Sequence, residues 1–456
     1  MNTELKRENG ITEGVIWQQL LLFFFPILIG TFFQQLYNTV DSVIIGQFVG
    51  KEALSSVGGS SAQIINLIVG FFTGLSAGAS VIISQYFGAK DQKQLDRALH
   101  TAYAFSILGG ILAGIAGILL TPAIFRLMNT PKELMQDSIS YVRIYFAGLI
   151  FVFIYNMGAS ILRAIGDSKR PLYYLIICCV INILLDLLFV VGLRQGVKGV
   201  AAATLIAQGV SAVLVTTALM LYTPGLKLRL RDIRIDRKML FFLLKIGLPT
   251  GIQSCMYSVS NIIVQTALNA FGVDIMAAWA AFGKIDSIFW MINSAFGISI
   301  TTFVGQNFGA GKWERIRKGT RVCLCMALSI AIVLSIALMT AGKFLFGIFT
   351  ADSGVVAIGL RMMQVISPTY FLFVFIEIFS GTLRAQGHVF ITTLMTMSGI
   401  CLLRIVWVSL IVPHGTLEEI IACYPITWLL CAVGMTVYYL YKQRKILQKD
   451  FPKKIS

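Results

Sequence analysis

Long, almost uncharged apolar runs recur along this chain from Val15 nearly to its end, separated by short breaks of Gly, Pro and charge. About 20 mostly apolar residues are the length that crosses the hydrocarbon core of a bilayer. Inside lipid, backbone N–H and C=O groups find partners only in helices or closed barrels. Barrel strands alternate apolar and polar residues over about ten positions, whereas Ala102–Leu120 and Ala327–Leu338 are continuously apolar. The expected fold is therefore an all-α integral membrane protein. Composition agrees: 57% of the 456 residues are hydrophobic and 13% are charged, against about 25% charged in soluble chains.

Breaks in the apolar pattern give twelve spans, near 15–43, 53–80, 98–121, 138–160, 171–192, 197–222, 239–268, 276–303, 320–346, 359–383, 390–412 and 418–441. Lys and Arg are retained on the cytoplasmic side of bacterial membranes. With the N-terminus inside, the cytoplasmic segments hold 26 of them and the opposite loops 6. The cytoplasmic group includes Lys6 and Arg7, six between Lys227 and Lys238, and six in the tail that ends with Lys453 and Lys454. Both ends are expected in the cytoplasm. This clustering beside span ends also accounts for the net charge of +16, as topology and anionic headgroups require, so no nucleic-acid partner is expected.

The run beginning at Val15 is too long for a signal-peptide core and no small-residue cleavage site follows it, so it reads as a retained first span. The 8 cysteines lie in or beside spans without CxxC spacing, and His100, His388 and His414 are scattered without an HExxH pattern. Neither set suggests a metal centre or a disulfide framework.

The chain repeats itself. Pro26 pairs with Pro249 and Asn38 with Asn261. Gln85-Tyr-Phe-Gly-Ala-Lys90 matches Gln306-Asn-Phe-Gly-Ala-Gly311, and Asn156–Gly166 matches Glu377–Gly387, both at an offset of 221. The halves are residues 1–225 (spans 1 to 6) and 239–456 (spans 7 to 12), joined by a basic linker at 226–238. An even number of spans per half gives both the same orientation, as two six-helix bundles related by a pseudo-two-fold axis along the membrane normal. Such twin bundles suit alternating access. The Gln-x-Phe-Gly-Ala segments read as helix-ending turns in which Gly takes φ > 0.

Ionisable residues at membrane depth are costly and functional by default. Gln34, Asn38 and Asp41 fall at i, i+4 and i+7 on span 1, and Asn182 and Asp186 at i and i+4 on span 5. At about 1.5 Å per residue, Asp41, Asp186 and Thr204 all reach the outer half of the first bundle. Two carboxylates sharing a low-dielectric pocket raise the pKa of at least one of them; the plainer reading is two buried acids hydrogen-bonded to stiffen the bundle. An acid that gains or loses a proton with access is what proton-driven transport needs, and carboxylate, amide and hydroxyl oxygens also suit Na⁺. Pro26 breaks one backbone hydrogen bond mid-span with Gly30 one turn later, a kink and candidate hinge. The second half carries Lys284, Asp286, Glu377 and Arg404 instead. Some of these charges are expected to neutralise one another, and Glu377 is a candidate attractor of a cationic substrate.

Pro26…Gln35-Leu-Tyr-Asn-Thr-Val-Asp41, Gln85-Tyr-Phe-Gly-Ala, Leu162-Arg-Ala-Ile-Gly-Asp167 and Val304-Gly-Gln-Asn-Phe-Gly-Ala-Gly311 together resemble the multidrug and toxic-compound extrusion (MATE) family over nearly the whole chain. The resemblance implies an H⁺- or Na⁺-coupled antiporter that exports amphipathic, often cationic, compounds. It implies that Asp41, Asn182, Asp186 and Thr204 form an N-lobe cation pocket of the prokaryotic damage-inducible type, and that Pro26 is a bending proline. Glu377 is similar to an acid of Gram-positive members, whereas Tyr257 stands where another bacterial branch carries an acid. Beyond the bilayer and its small substrates no partner is expected, the chain is expected to be a monomer, and no cofactor other than the coupling ion is implied. The alternative within the broader superfamily is a lipid or lipid-linked oligosaccharide flippase, which needs a cationic groove. A major-facilitator carrier would show a Gly-x-x-x-Asp-Arg loop, and a membrane enzyme an HExxH or phosphate-loop constellation. Neither is present.

Overall fold

The computed structural model describes residues 11–221, 223, 225–411 and 415–450. Lys6, Arg7, His414, Lys453 and Lys454 lie outside the described residues. Seventeen helices follow one another, and no strand occurs among the described residues. The first half holds α1 (Ile16–Phe48), α2 (Lys51–Gly58), α3 (Ser60–Gly88), α4 (Gln92–Leu127), α5 (Lys132–Ala147), α6 (Leu149–Ala164), α7 (Lys169–Asp186) and α8 (Gly196–Leu221). After the linker come α9 (Arg237–Asn269), α10 (Val273–Gly309), α11 (Trp313–Phe349), α12 (Ser353–Ile366) and α13 (Tyr370–Ala385). The remaining helices are α14 (Val389–Thr396), α15 (Leu403–Ile411), α16 (Leu417–Ile421) and α17 (Cys423–Asp450).

Eleven helical stretches are long and apolar enough to cross a membrane, and a twelfth is formed if α5 and α6 count as one span bent by 48°. These helices cover the expected spans to within a residue at either end, and many helices are longer; residues 222 and 412 lie outside the described ones. The bend lies at Gly148, and its repeat counterpart is the 3₁₀ turn Ser367–Thr369 between α12 and α13. Six-residue π-helical turns close the fifth span of the first half, at Leu187–Gly192, and interrupt that of the second, at Met397–Leu402. Such turns often mark functional positions in helices.

Two compact units divide the described chain. The first holds Leu21–Cys255 and Gly309–Gly311, and the second holds Glu13–Leu20, Met256–Phe308 and the residues from Lys312 on. Within the first unit α3 and α9 cross at backbone contact. A Cβ on Gly74 would lie 2.5 Å from the Gly251 Cα, and one on Gly78 would lie 2.5 Å from the Gly247 nitrogen. Small residues four apart on both helices allow this approach, the usual means of packing helices where lipid removes any hydrophobic gain.

The repeated motifs end their helices in the same way. Asp91 N–H bonds the Tyr86 carbonyl at 3.1 Å and Lys312 N–H bonds that of Asn307 at 2.8 Å, closing α3 and α10 in Schellman motifs. The left-handed residue is Gly311 (φ 69°) in the second motif but Lys90 (φ 56°) in the first. The expectation that the glycine of Gln-x-Phe-Gly-Ala takes φ > 0 is therefore corrected in both motifs: Gly88 and Gly309 end their helices, and the left-handed turn comes two residues later, at a lysine in the first motif despite the cost of a Cβ there. The same closure recurs after α6 and α13, with Gly166 and Gly387 at φ 98° and 87°.

The basic linker is strapped to the first unit. The Arg229 N–H donates to His100 Nε2 at 3.1 Å while His100 Nδ1 faces the Asp96 carbonyl at 2.7 Å. Leu226 and Leu228 are buried beside it. Asp236 caps α9 by accepting the Met239 N–H at 3.0 Å. That bond holds its carboxyl below the usual range.

Candidate functional site in the first unit

Asp41 lies near the end of α1, 7% exposed, and Asp186 closes α7, fully buried at 0%. The two carboxyls come within hydrogen-bonding reach of each other. Two acids in one low-dielectric pocket repel each other when both are ionised. No Lys or Arg forms an ion pair with either among the described residues.

Asn182 stands one turn before Asp186, 1% exposed. Apart from the approach of the two carboxyls to each other, Asp41 Oδ1, both Asp186 oxygens, and the Asn182 Oδ1 and Nδ2 are buried without a hydrogen-bond donor or acceptor among the described residues. Unmet buried polar atoms are rare, and each calls for an occupant. Thr204, 6% exposed on α8, donates its hydroxyl to the Val200 carbonyl at 3.0 Å, which leaves its oxygen lone pairs available. α8 packs along α7. The oxygens these four side chains carry are all hard, from two carboxylates, an amide and a hydroxyl. No cluster of three or more His, Cys, Asp or Glu that would hold a metal occurs among the described residues. The set fits a proton or a weakly held monovalent cation better than a transition metal.

Two further residues belong to this environment. Tyr37, one turn before Asp41, feels the Asp41 charge, and Tyr141 of α5 feels both Asp41 and Asp186. Both rings are buried. Nothing in their sequence context separates them from the aromatics of any apolar run, although the i, i+4 spacing of Tyr37 and Asp41 was available as a signal.

The other candidates are placed apart. Gln34 and Asn38 are exposed although they share the Asp41 stripe. Pro26 is buried inside the unbroken α1, and Gly30 faces Leu172 and Leu175 of α7. Glu377 lies in the second unit on α13, half-buried against Gly297, with Arg384 and Tyr257 as its charged and titratable neighbours.

The second-half charges do not neutralise one another in the expected way. Lys284 is exposed, and Asp286 instead accepts from Trp290 Nε1 at 2.6 Å and from the Tyr370 hydroxyl. Tyr370 in turn stacks on Phe289, with ring centroids 3.9 Å apart. Arg404, 2% exposed, donates to Asn261 Oδ1 at 3.1 Å and lies 4.1 Å over the Tyr424 ring. Sequence position alone pairs such charges by proximity along the helix; packing pairs Asp286 with aromatic donors because those rings fill the surrounding core.

A family model, MatE, matches residues 26–188 and again 249–409, one copy on each repeat. The chain belongs to the MATE family. Among similar proteins, the probable multidrug resistance protein YoeA of Bacillus subtilis is 29% identical over 94% of this chain and 94% of its own length. The multidrug export protein MepA of Staphylococcus saprophyticus is 23% identical over 96% of both chains. Among solved structures, an outward-facing MATE transporter of the MOP superfamily matches with a TM-score of 0.89 at 21% identity, covering 97% of this chain and 99% of that one. A MOP superfamily transporter from Pyrococcus furiosus, described as having reversed pocket polarity, matches at 0.88 over 96% and 98%. These structures share the MATE fold, and the chain is a multi-pass membrane protein of that transporter family.

Proposed function

We propose that this MATE protein is an H⁺- or Na⁺-coupled antiporter that exports amphipathic, often cationic, compounds by alternating access. It acts from a bacterial cytoplasmic membrane with both ends inside. The contact between the Asp41 and Asp186 carboxyls carries the reading. A buried pair that holds one proton without a basic partner gives up that proton only to a competing cation or to a change in access, and this exclusivity is the physical content of coupling. The unmet Asn182 amide and the Thr204 hydroxyl supply neutral oxygens to whichever cation replaces the proton. Pro26 and Gly30 lie on the helix that carries Asp41, so a change of charge at Asp41 acts on the segment least held by backbone hydrogen bonds. The relatives named for multidrug resistance and export support drugs as cargo, and the 26-to-6 distribution of Lys and Arg supports the orientation.

The test uses inside-out vesicles and a fluorescent lipophilic cation, with a proton gradient or a sodium gradient imposed separately. Dye accumulates under at least one gradient, and the effective one identifies the ion. Absence of accumulation under both contradicts the reading.

A further inference from the structure

We propose that Arg404 is the anion-recognising group of a second binding site, within the second unit, and that its ligands are aromatic carboxylates. The observation is a buried cation without a counter-ion. Arg404 is 2% exposed, and no carboxylate lies within ion-pair distance of it among the described residues. Its surroundings are the Asn261 amide oxygen, the face of Tyr424, the thiols of Cys401 and Cys423, and Tyr257. The nearby acid Asp286 is already bonded by Trp290 and Tyr370. A guanidinium has five N–H donors, and one goes to Asn261. The Nε–H is buried with no acceptor among the described residues.

A charge placed so deep in a membrane protein is retained where it meets an opposite charge. The free edge of the guanidinium matches a planar carboxylate in two parallel hydrogen bonds, a geometry that lysine does not reproduce. The aromatic part of the ligand has its own partners. Trp279 lies 5.8 Å and Trp428 5.6 Å from Tyr424, ring centre to ring centre. The π-helical turn Met397–Leu402, immediately before Arg404, is where this helix can shift register to admit a ligand. The first unit thus presents an exchangeable proton between acids, and the second a permanent cation at the matching place in the repeat. The inference rests on the export reading only in taking the ligand to be cargo, since binding is measured without transport.

The experiment titrates the purified full-length protein with a xanthene dye bearing a free carboxylate and with the methyl ester of the same dye, followed by fluorescence anisotropy. Arg404→Gln weakens the acid by about tenfold or more, the loss of a charge-assisted bidentate pair, and leaves the ester unchanged. Arg404→Lys falls between. Equal effects on acid and ester, no effect on either, or failure of the wild type to bind the acid overturns the proposal. If the variants do not yield monodisperse protein, benzoate and neutral benzamide are competed against the acid dye on the wild type. Displacement by benzoate alone supports the site, and equal or absent displacement rejects it.

Discussion

Asp41→Asn reduces gradient-driven dye accumulation to the level of empty vesicles, while the protein still inserts and purifies as a single species. The substitution keeps the shape of the side chain and its contact with Asp186. It removes the proton that the pair exchanges, because an amide neither gains nor loses one near neutral pH. The remaining Asp186 then sits beside a permanent N–H donor and stays charged, so the site no longer alternates between two protonation states. Asp186→Asn is expected to do the same from the other side. Asn182→Ala, which removes only a neutral oxygen, weakens transport without abolishing it. Dye accumulation by Asp41→Asn close to wild type contradicts a coupling role for the pair.

The second large effect comes from the smallest possible side-chain addition. Gly309→Ala on α10 destabilises the protein by about 3 kcal/mol or prevents its accumulation, the upper range for forced overpacking. A Cβ at Gly309 would lie 1.9 Å from the Gln85 carbonyl oxygen and 2.8 Å from the Ala89 nitrogen. The obstacle is backbone, which cannot swing away as a side chain would. Gly309 therefore meets the Gln85–Ala89 segment main chain to main chain, and this approach fixes it as glycine. Gly283→Ala on the same helix is the control, since nothing lies within 4 Å of its Cβ position. It is expected to be neutral or to stabilise by up to about 1 kcal/mol through helix propensity. Thermal unfolding of the two variants in detergent separates the outcomes, and equal melting temperatures contradict the packing account.

Much of the architecture was legible in the amino-acid order because lipid leaves few choices. Apolar runs long enough to span become helices, and each expected span is covered by a helical stretch to within a residue at its ends, the sixth and eleventh each reaching one residue outside the described ones. The 221-residue offset exposed the repeat before any coordinates. Breaks were legible only where the residue type announces them. Pro368 marks the 3₁₀ turn of the second half, whereas the 48° bend at Gly148 has no proline and reads as one more glycine in an apolar run. The π-helical turns beside Asp186 and Arg404 have no composition of their own, since they arise from packing against neighbouring helices.

At the site, Asp41 and Asp186 stood out because charge in lipid is rare, and that rarity needs no tertiary information. Tyr37 and Tyr141 did not, because a tyrosine in an apolar span faces lipid as often as it faces a polar pocket. The separation of exposed Gln34 and Asn38 from buried Asp41 also required the packed helices, since periodicity places all three on one stripe.

The account depends on one exchangeable proton held between Asp41 and Asp186. The most direct measurement is proton release from the purified protein in weakly buffered detergent solution when Na⁺ or a cationic dye is added near neutral pH. The account predicts release of about one proton per chain by the wild type, the share of a carboxyl pair that holds a single proton, and none by Asp41→Asn. No release by the wild type, or equal release by both proteins, contradicts it.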